Sequence, residues 1–434
     1  MARYTESRMR HRVVILGGGF AGLYAAQSLG RTSTEITLVD KRNFHLFQPL
    51  LYQVATGALS PGDIASPLRF VLNGQRNTRV LMAEAGGLDA IRREVFLSDG
   101  TSIPYDTLIV ATGATHHYFG HETWAQHAPG LKTIEDATEI RSRILSAFER
   151  AEMSTNSDER LALLTFVVVG GGATGVELAG ALGEIAHDTL RKDFRGINPA
   201  DARIFLIEGA DRLLPVWPPD LSRAAERALI RFGVRAHLNA RVTNIDAEGV
   251  RFETAEGPMQ IASRTVIWAA GVQASPWGKI LAQAAGAPLD GAGRVLVSDD
   301  LSVPSHPEIL VIGDLAHIDQ DGQPVPGVAP AAMQQGRFAA RLIEARLRNC
   351  TLAPFRYRNK GNLATIGRNR AVAELGRLHL SGYPAWLLWV FIHLLYIVEF
   401  ESRLLIAIQW AYDYFTWNRG ARLITGTGKM RPEE

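Results

Sequence analysis

Residues 13–23 read VVILGGGFAGL, and residues 167–180 repeat the pattern as VVVGGGATGVELAG. In each stretch an apolar run leads into glycines spaced G-x-G-x-x-G and then into a helix-forming segment. Glycines at this spacing let the backbone approach a pyrophosphate, whose charge lies at the N-terminus of the following helix. Two such stretches predict an α/β fold with two Rossmann-like dinucleotide-binding units.

The first glycine loop consists of Gly17, Gly19 and Gly22. A second apolar run, 36–39, ends at Asp40, where a carboxylate can accept a hydrogen bond from a ribose hydroxyl. Strand, loop, helix, strand and acid therefore occur in the order that a dinucleotide site requires. For the loop taken alone, an ordinary tight turn is the alternative.

The second glycine loop consists of Gly170, Gly172 and Gly175, and its matching acid is Glu208. The distance from loop to acid exceeds the usual ~20 residues, so this unit needs a longer helix or an insertion, for which 187–201 is the candidate. An acid at this strand end favours a free 2′-hydroxyl over a 2′-phosphate, which predicts NADH rather than NADPH. Two loops indicate two dinucleotides, a bound flavin and a nicotinamide.

Three further apolar segments end in small residues or in Gly-Asp: YDTLIVATG at 105–113, TVIWAAG at 265–271 and EILVIGD at 308–314. They resemble the strands that return the chain to the cofactors in two-dinucleotide flavoproteins. In those proteins an acid at the place of Asp314 holds the flavin ribityl chain. Taken singly, each segment is also compatible with a buried parallel strand.

The order of these segments predicts the domain layout. We expect a discontinuous flavin domain over 1–120 and 291–350, with a nicotinamide domain over 121–290 inserted into it. A C-terminal region over 351–434 follows. A chain of 434 residues also exceeds what one hydrophobic core usually serves.

The composition excludes several classes of partner and of site. The formal net charge of +2 gives no support to a nucleic-acid partner. The one cysteine, Cys350, excludes a disulfide framework, a four-cysteine zinc site and a redox-active cysteine pair. We predict no metal site. The first strand has no apolar signal region before it, so we expect an intracellular protein.

Five blocks carry a specific resemblance: VDKRNFHLFQPLLYQVATG at 39–57, the strand that ends in ATG at 111–113, GGGATGVELAG at 170–180, VPGVAPAAMQQGRFAA at 325–340 and NKGNLATIGRNRAV at 359–372. With these blocks the chain resembles, over essentially its whole length, the type II NADH dehydrogenases. Those are single-subunit, FAD-containing NADH:quinone oxidoreductases that do not pump protons. The resemblance implies two glutathione-reductase-like Rossmann domains, FAD and NADH as cofactors, and hydride transfer followed by two-electron reduction of a membrane quinone.

The resemblance also implies roles for individual residues. Gln334 and Gln335 match the glutamines of the family's AQxAxQ-type quinone motif, and Gln334 carries more weight because Pro330 replaces the motif's first glutamine. The implied flavin contacts are Gly17, Gly19, Phe20, Gly22, Asp40, Lys41, Thr112, Gly113, Gly313 and Asp314; the implied NADH contacts are Gly170, Gly172, Gly175, Glu208 and Gly271.

Glu177 lies just after the second glycine loop, where a carboxylate would repel a phosphate. We therefore expect it to point away from the pyrophosphate and either to position the nicotinamide amide or to relay a proton. Lys360 matches a basic position in the family and is its predicted ion-pair partner. The alternative is a helix-dipole acid with no chemistry. We interpret His45 as a structural group.

Hydropathy is concentrated in the tail. The apolar runs 385–398 and 404–424 are too short or too polar for a membrane-spanning helix, which needs ~20 apolar residues. Four of the eight tryptophans lie here, at 386, 389, 410 and 417, and indole prefers the lipid headgroup boundary. We expect two short helices, an anchor at about 385–420, on the cytoplasmic face of the cell membrane. A buried helix pair or a homodimer interface is the alternative.

The sequence was also compared with the requirements of other flavoprotein functions. Sulfide:quinone oxidoreductases and disulfide reductases need a cysteine pair, which this chain lacks. An NADH-dependent flavoprotein that passes electrons to a protein acceptor, or an NADH-sensing interaction protein, would share the glycine loops. The tail and the quinone motif favour the quinone.

Overall fold

The two glycine loops lie in separate sheets of a computed structural model that describes residues 10–398, 400–416 and 419–425. Contacts divide the chain into two units. The first unit runs to Leu46 and continues over Ala65–Thr115 and Val272–Asn359. The second unit comprises Phe47–Ile64, His116–Gly271 and the described residues from Lys360 onward.

The first unit is built on a six-stranded sheet, five of whose strands are parallel. The edge strand is antiparallel. The central strands of this sheet carry the apolar runs recognised in the sequence, and they are buried on both faces, as is typical of parallel strands. In spatial order the strands are Ser302–Val303, His306–Val311, Thr107–Val110, Arg12–Leu16, Glu35–Asp40 and Thr78–Met82.

The second unit has a four-stranded parallel sheet and two antiparallel three-stranded sheets. The parallel sheet consists of Val234–His237, Arg203–Ile207, Thr165–Val169 and Thr265–Trp268. The antiparallel sheets consist of Arg241–Asp246, Gly249–Thr254 and Gly257–Ala262, and of Asn362–Gly367, Arg370–Leu375 and Leu378–Gly382. The last of these sheets packs against the helix that follows the second glycine loop, so closely that a Cβ on Gly180 would lie 1.9 Å from the Ile366 carbonyl oxygen.

Shorter strands complete the first unit. Phe44–Leu46 pairs with Ala65–Pro67, and Ala85–Asp89, Glu94–Leu97 and Ser102–Pro104 form a meander. Val295–Leu296 pairs with Ala316–His317, and Asp319–Gln320 pairs with Gln323–Pro324. Ala114–His116 and Val272–Ala274 are two further short strands.

The helices of the described chain are numbered here in order: α1 Phe20–Leu29, α2 Leu51–Ala55, α3 Leu68–Val71, α4 Ile134–Met153, α5 Ser157–Leu163, α6 Ala173–Glu184, α7 Pro219–Arg231, α8 Trp277–Ala285, α9 Ala329–Leu347, α10 Tyr383–Tyr396 and α11 Phe400–Thr416. The predicted insertion is present, because α6 continues as a π-helical turn, Ile185–Thr189, before an irregular segment. The predicted tail helices are α10 and α11. Within the described residues, no helix has the length and apolarity to cross a bilayer.

Candidate functional site

The first glycine loop has the geometry of a phosphate cradle. Gly17 adopts φ +100°, and a Cβ there would lie 2.4 Å from the Ala111 carbonyl oxygen. A Cβ on Gly22 would lie 1.9 Å from the Gly17 carbonyl oxygen, whereas a Cβ on Gly19 would meet no atom within 4 Å. Gly17 and Gly22 are thus required by packing, and Gly19 leaves open space beside the N-terminus of α1, where a pyrophosphate fits.

Asp40 fixes this loop from the end of the next strand. One carboxylate oxygen accepts the Gly18 N–H at 2.6 Å and the other accepts the Arg42 N–H at 2.7 Å. Burial raises the pKa of Asp40, although both N–H groups act against that rise. Its partly buried carboxylate therefore has a fixed direction, as a ribose-binding group needs. The neighbouring Lys41 is exposed.

The second glycine loop repeats the arrangement. Gly170 adopts φ +107°, a Cβ on Gly175 would lie 1.8 Å from the Gly170 carbonyl oxygen, and Gly172 faces open space. Glu208 accepts the Gly171 N–H at 2.5 Å and the Ala210 N–H at 2.7 Å. The two loops are therefore geometrically equivalent, and both fit a dinucleotide.

The remaining predicted flavin residues lie together in the first unit. Thr112 and Ser275 share a hydrogen bond between their hydroxyls at 2.6 Å, and the Gly113 carbonyl accepts the Ser275 N–H at 3.1 Å. Gly313, at φ +75°, and Asp314 line a small cavity at the N-terminal end of α9. This cavity places Asp314 beside open space.

His45 and Phe20 support the first loop. The buried His45 donates from Nδ1 to the Gly18 carbonyl at 2.9 Å, and the Phe20 ring meets its edge at 5.0 Å. Burial lowers the pKa of His45 to about 4, so the ring is neutral at physiological pH. This geometry agrees with the interpretation of His45 as a structural group.

The glutamines of the quinone motif make different contacts. Gln335 is buried, and its side-chain oxygen accepts the Gly313 N–H at 2.5 Å. Gln334 is half-buried and forms two hydrogen bonds with the Arg358 backbone. Its side-chain amide donates to the Arg358 carbonyl at 2.9 Å, and its side-chain oxygen accepts the Arg358 N–H at 2.9 Å. Gln335 therefore holds the loop that carries Asp314. The predicted quinone contacts of both residues stay predictions.

Glu177 lies on α6 and points into a cavity of about 130 Å³ within the second unit. Burial raises the pKa of Glu177 to about 8, although the Thr365 N–H that it accepts at 3.4 Å acts in the opposite direction. The carboxyl group is therefore largely protonated at pH 7. We call this space the Glu177 cavity.

The predicted ion pair between Glu177 and Lys360 is not formed. Lys360 is exposed and precedes the strand Asn362–Gly367, and no ion pair joins it to Glu177 in the described chain. The exposed Lys360 ammonium is hydrated, and moving it into the cavity to pair with Glu177 would cost that hydration. This part of the sequence analysis was wrong, and Glu177 is held by the Thr365 N–H instead.

Two residues that the sequence analysis did not single out lie beside Glu177. Tyr52, buried on α2, accepts a hydrogen bond from the Gln53 side chain at 2.9 Å. Burial and the nearby Glu177 charge raise the pKa of Tyr52 well above its ordinary value. Tyr52 and Gln53 both belong to the 39–57 block that carries the family resemblance. Their place in that block was the sequence signal that could have identified them as site residues.

The tail helices close the cavity. Trp386 and Trp389 of α10, and Trp410 and Asp413 of α11, line it. Trp410 donates to the Gln53 side-chain oxygen at 2.8 Å, and Trp389 is only 2% exposed. These three indoles therefore form a wall of this cavity, and the contact with a lipid boundary that the sequence predicts for them stays a prediction. Trp417 lies outside the described residues.

Two polar atoms of the cavity wall are buried without a hydrogen-bond partner among the described residues: Trp389 Nε1 and Asp413 Oδ2. Burial raises the pKa of Asp413 to about 6. Unpaired buried polar groups cost free energy, so these atoms favour a ligand that carries at least one polar group. The cavity thus offers an N–H donor and carboxyl groups to a small, largely apolar molecule.

Comparisons with known proteins agree with this geometry. A model of the pyridine nucleotide-disulphide oxidoreductase family matches residues 11–336. The chain is 46% identical over 425 residues to the type II NADH:quinone oxidoreductase NdhA of Mycobacterium tuberculosis, covering 96% of this chain and 90% of that protein. It is 44% identical to the second such enzyme of that organism, Ndh, over 423 residues, with the same coverage.

Solved structures share the fold. The NDH2 structure from Plasmodium falciparum in complex with NADH superposes with a TM-score of 0.86 at 19% identity, covering 96% of this chain and all of that one. The sulfide:quinone oxidoreductase of Aquifex aeolicus superposes with a TM-score of 0.71 at 20% identity, covering 96% and 93%. At these identities the likeness supports the fold alone.

Proposed function

Because the chain belongs to the type II NADH:quinone oxidoreductases, an FAD-dependent family that transfers electrons from NADH to quinone, we propose that its quinone is reduced in the Glu177 cavity. FAD, when bound, supplies the acceptor for the NADH hydride and the two-electron donor to the quinone. We assign FAD to the first glycine loop with Asp40, Thr112 and Asp314, and NADH to the second loop with Glu208.

The observation that carries this proposal is the Glu177 carboxyl group, which lies in a cavity walled by tryptophans and whose pKa burial raises to about 8. A quinone takes up two protons with its two electrons, and Glu177 holds a proton up to about pH 8. A quinone carbonyl is also an acceptor that suits the unpaired Trp389 Nε1 donor. In this role Glu177 delivers a proton to a carbonyl oxygen of the quinone. We prefer this role to the alternative, in which Glu177 positions the nicotinamide amide.

The outer faces of the same two helices support docking on a membrane. Leu387 and Phe391 of α10 are 46% and 61% exposed, and Ile408 and Phe415 of α11 are 58% and 80% exposed. Their apolar side chains favour the interfacial region of a lipid leaflet. We propose that α10 and α11 lie on the cytoplasmic face of the cell membrane, so that a lipid-dissolved quinone reaches the cavity between them.

Substitution of a cavity residue outside the proton-handling set tests the proposal. Ala58 is half-buried and lines the cavity, so Ala58→Trp should fill it. We expect reoxidation of the reduced enzyme by a short-chain quinone to need at least about tenfold more quinone, since the binding space is lost. Reduction by NADH and reoxidation by ferricyanide should be unchanged. An unaltered dependence on quinone concentration would place the quinone elsewhere.

A further inference from the structure

A second cavity in the second unit, of about 110 Å³, is lined by three arginines. Arg227 and Arg231 are one turn apart on α7, and Arg370 begins the strand Arg370–Leu375, against which α7 packs. Arg370 is half-buried and the other two are exposed. We call this space the arginine cavity.

The positive charge of the arginine cavity is not neutralised by the protein. No aspartate or glutamate lines it, and in the described part of the chain the three guanidinium groups form no ion pair. Asp220, an acid at the start of α7, is bonded by His379 at 3.0 Å. Because like charges four residues apart on a helix repel each other, an anion in the cavity would stabilise this arrangement.

The start of α10 adds to the positive potential. Gly382, the N-cap of α10, lines the cavity with φ +75°, a conformation that favours glycine. The first turn of α10 contains no acid, so the positive end of the helix dipole is uncompensated. Three guanidinium groups beside a helix N-terminus form a site whose chemistry fits a phosphate, which arginine binds in a bidentate manner.

The position of the cavity favours a phospholipid as the source of such a phosphate. From its edge, α10 carries exposed apolar side chains at four-residue intervals, Tyr383, Leu387, Phe391 and Leu395, which therefore share one face. A phosphate in the cavity is next to this apolar face, as a headgroup is next to its acyl chains. We propose that the arginine cavity binds the headgroup phosphate of an anionic phospholipid, an inference that rests on the proposed docking of α10 and α11 on a membrane.

Vesicle binding tests the proposal on the full FAD-loaded protein. The probes are vesicles of phosphatidylcholine alone and vesicles in which about a third of the lipid is phosphatidylglycerol. We expect wild-type protein to prefer the anionic vesicles, and Arg227→Gln, Arg231→Gln and Arg370→Gln to weaken that binding about fivefold each. The triple variant should lose on the order of a hundredfold, with binding to neutral vesicles unchanged. A matched control removes three exposed arginines of the same unit that do not line the cavity: Arg191, Arg235 and Arg241.

The possible results of the vesicle experiment lead to different conclusions about the arginine cavity. A loss confined to the cavity variants supports the site, whereas an equal loss in the control triple variant would reduce it to general surface charge and overturn it. If inorganic phosphate stabilises wild-type but not triple-variant protein against heat, while neither prefers anionic vesicles, the site binds soluble phosphate and the lipid assignment is wrong. Failure of wild-type protein to bind any vesicle would contradict membrane docking itself, while short-chain quinone activity would separately report on the Glu177 cavity.

Discussion

Arg419 donates to Glu184 at 2.5 Å, and the two side chains are only 10% and 13% exposed. Arg419 follows α11, and Glu184 ends α6, the helix that carries Glu177. Arg419 also donates to the Thr56 carbonyl at 3.1 Å. Both members of the pair line the Glu177 cavity. The pair therefore fixes the chain after α11 to the helix that carries the proposed proton donor.

Removal of one partner should be costly because it leaves the other charge buried. We expect Arg419→Met to lower the free energy of unfolding by about 3 to 5 kcal/mol. The double variant Arg419→Met with Glu184→Gln should recover much of that loss, since no unpaired charge remains. Urea unfolding followed by tryptophan fluorescence measures both. Equal stability of the single and double variants would show that the pair does not hold the tail.

Substitution of the two adjacent glutamines should affect the affinity for FAD differently. Gln335→Leu leaves the partly buried Gly313 N–H without its acceptor, at a cost of about 1 to 3 kcal/mol, so the affinity for FAD should fall roughly 5- to 150-fold. Gln334→Leu is the matched control, because water can replace its half-buried contacts with Arg358. Flavin fluorescence on release reports the affinity. Equal losses would contradict the assignment of Gln335 to the flavin loop.

Glu208 should determine the choice between NADH and NADPH. Its carboxylate is fixed by the Gly171 and Ala210 N–H groups, and its negative charge disfavours a 2′-phosphate. Glu208→Gln keeps a hydrogen-bond acceptor and removes the charge. The ratio of kcat/KM for NADPH to that for NADH should rise about tenfold. A steady-state ratio equal to that of the wild-type protein would mean that the second loop does not bind the adenosine ribose as we propose.

The exposed apolar face of the tail should set membrane affinity. Phe391→Ser and Phe415→Ser should each weaken binding to neutral vesicles about tenfold, because a phenyl ring no longer enters the lipid. Ile91→Ser is the control, since Ile91 is 91% exposed but lies in the first unit. Co-sedimentation with vesicles gives the affinities. Comparable losses in all three variants would remove α10 and α11 as the docking surface.

The local parts of this fold could be predicted because their determinants are close in sequence. An apolar run followed by G-x-G-x-x-G specifies a strand, a turn and a helix within some fifteen residues, and Thr165–Val169 is the strand that the sequence predicts. The acids Asp40 and Glu208 were found in the same way. Their N–H partners follow from the same strand and loop geometry.

The Glu177 cavity could not be predicted because it depends on contacts between distant segments. Tyr52, Trp389 and Arg419 come together with Glu177 around this cavity only after α2 has packed on α6, α10 has packed on the sheet that contains Asn362–Gly367, and Arg419 has paired with Glu184. Hydropathy located the tail helices but gave no sign that their indoles face inward. Nor could spacing show that Lys360 remains in solvent, which depends on the path of the irregular segment before Asn362–Gly367.

The most direct measurement is the pH dependence of the quinone half-reaction. In stopped flow, the enzyme is reduced with NADH, mixed with a short-chain quinone between pH 6 and 10, and flavin reoxidation is recorded. With the pKa of Glu177 at about 8, the protonated donor predominates below that pH and falls tenfold per unit above it. The rate in wild-type protein should fall accordingly, whereas Glu177→Gln should retain FAD, react about 10²- to 10⁴-fold more slowly and lose this dependence. An unchanged rate and pH profile in Glu177→Gln would contradict the account.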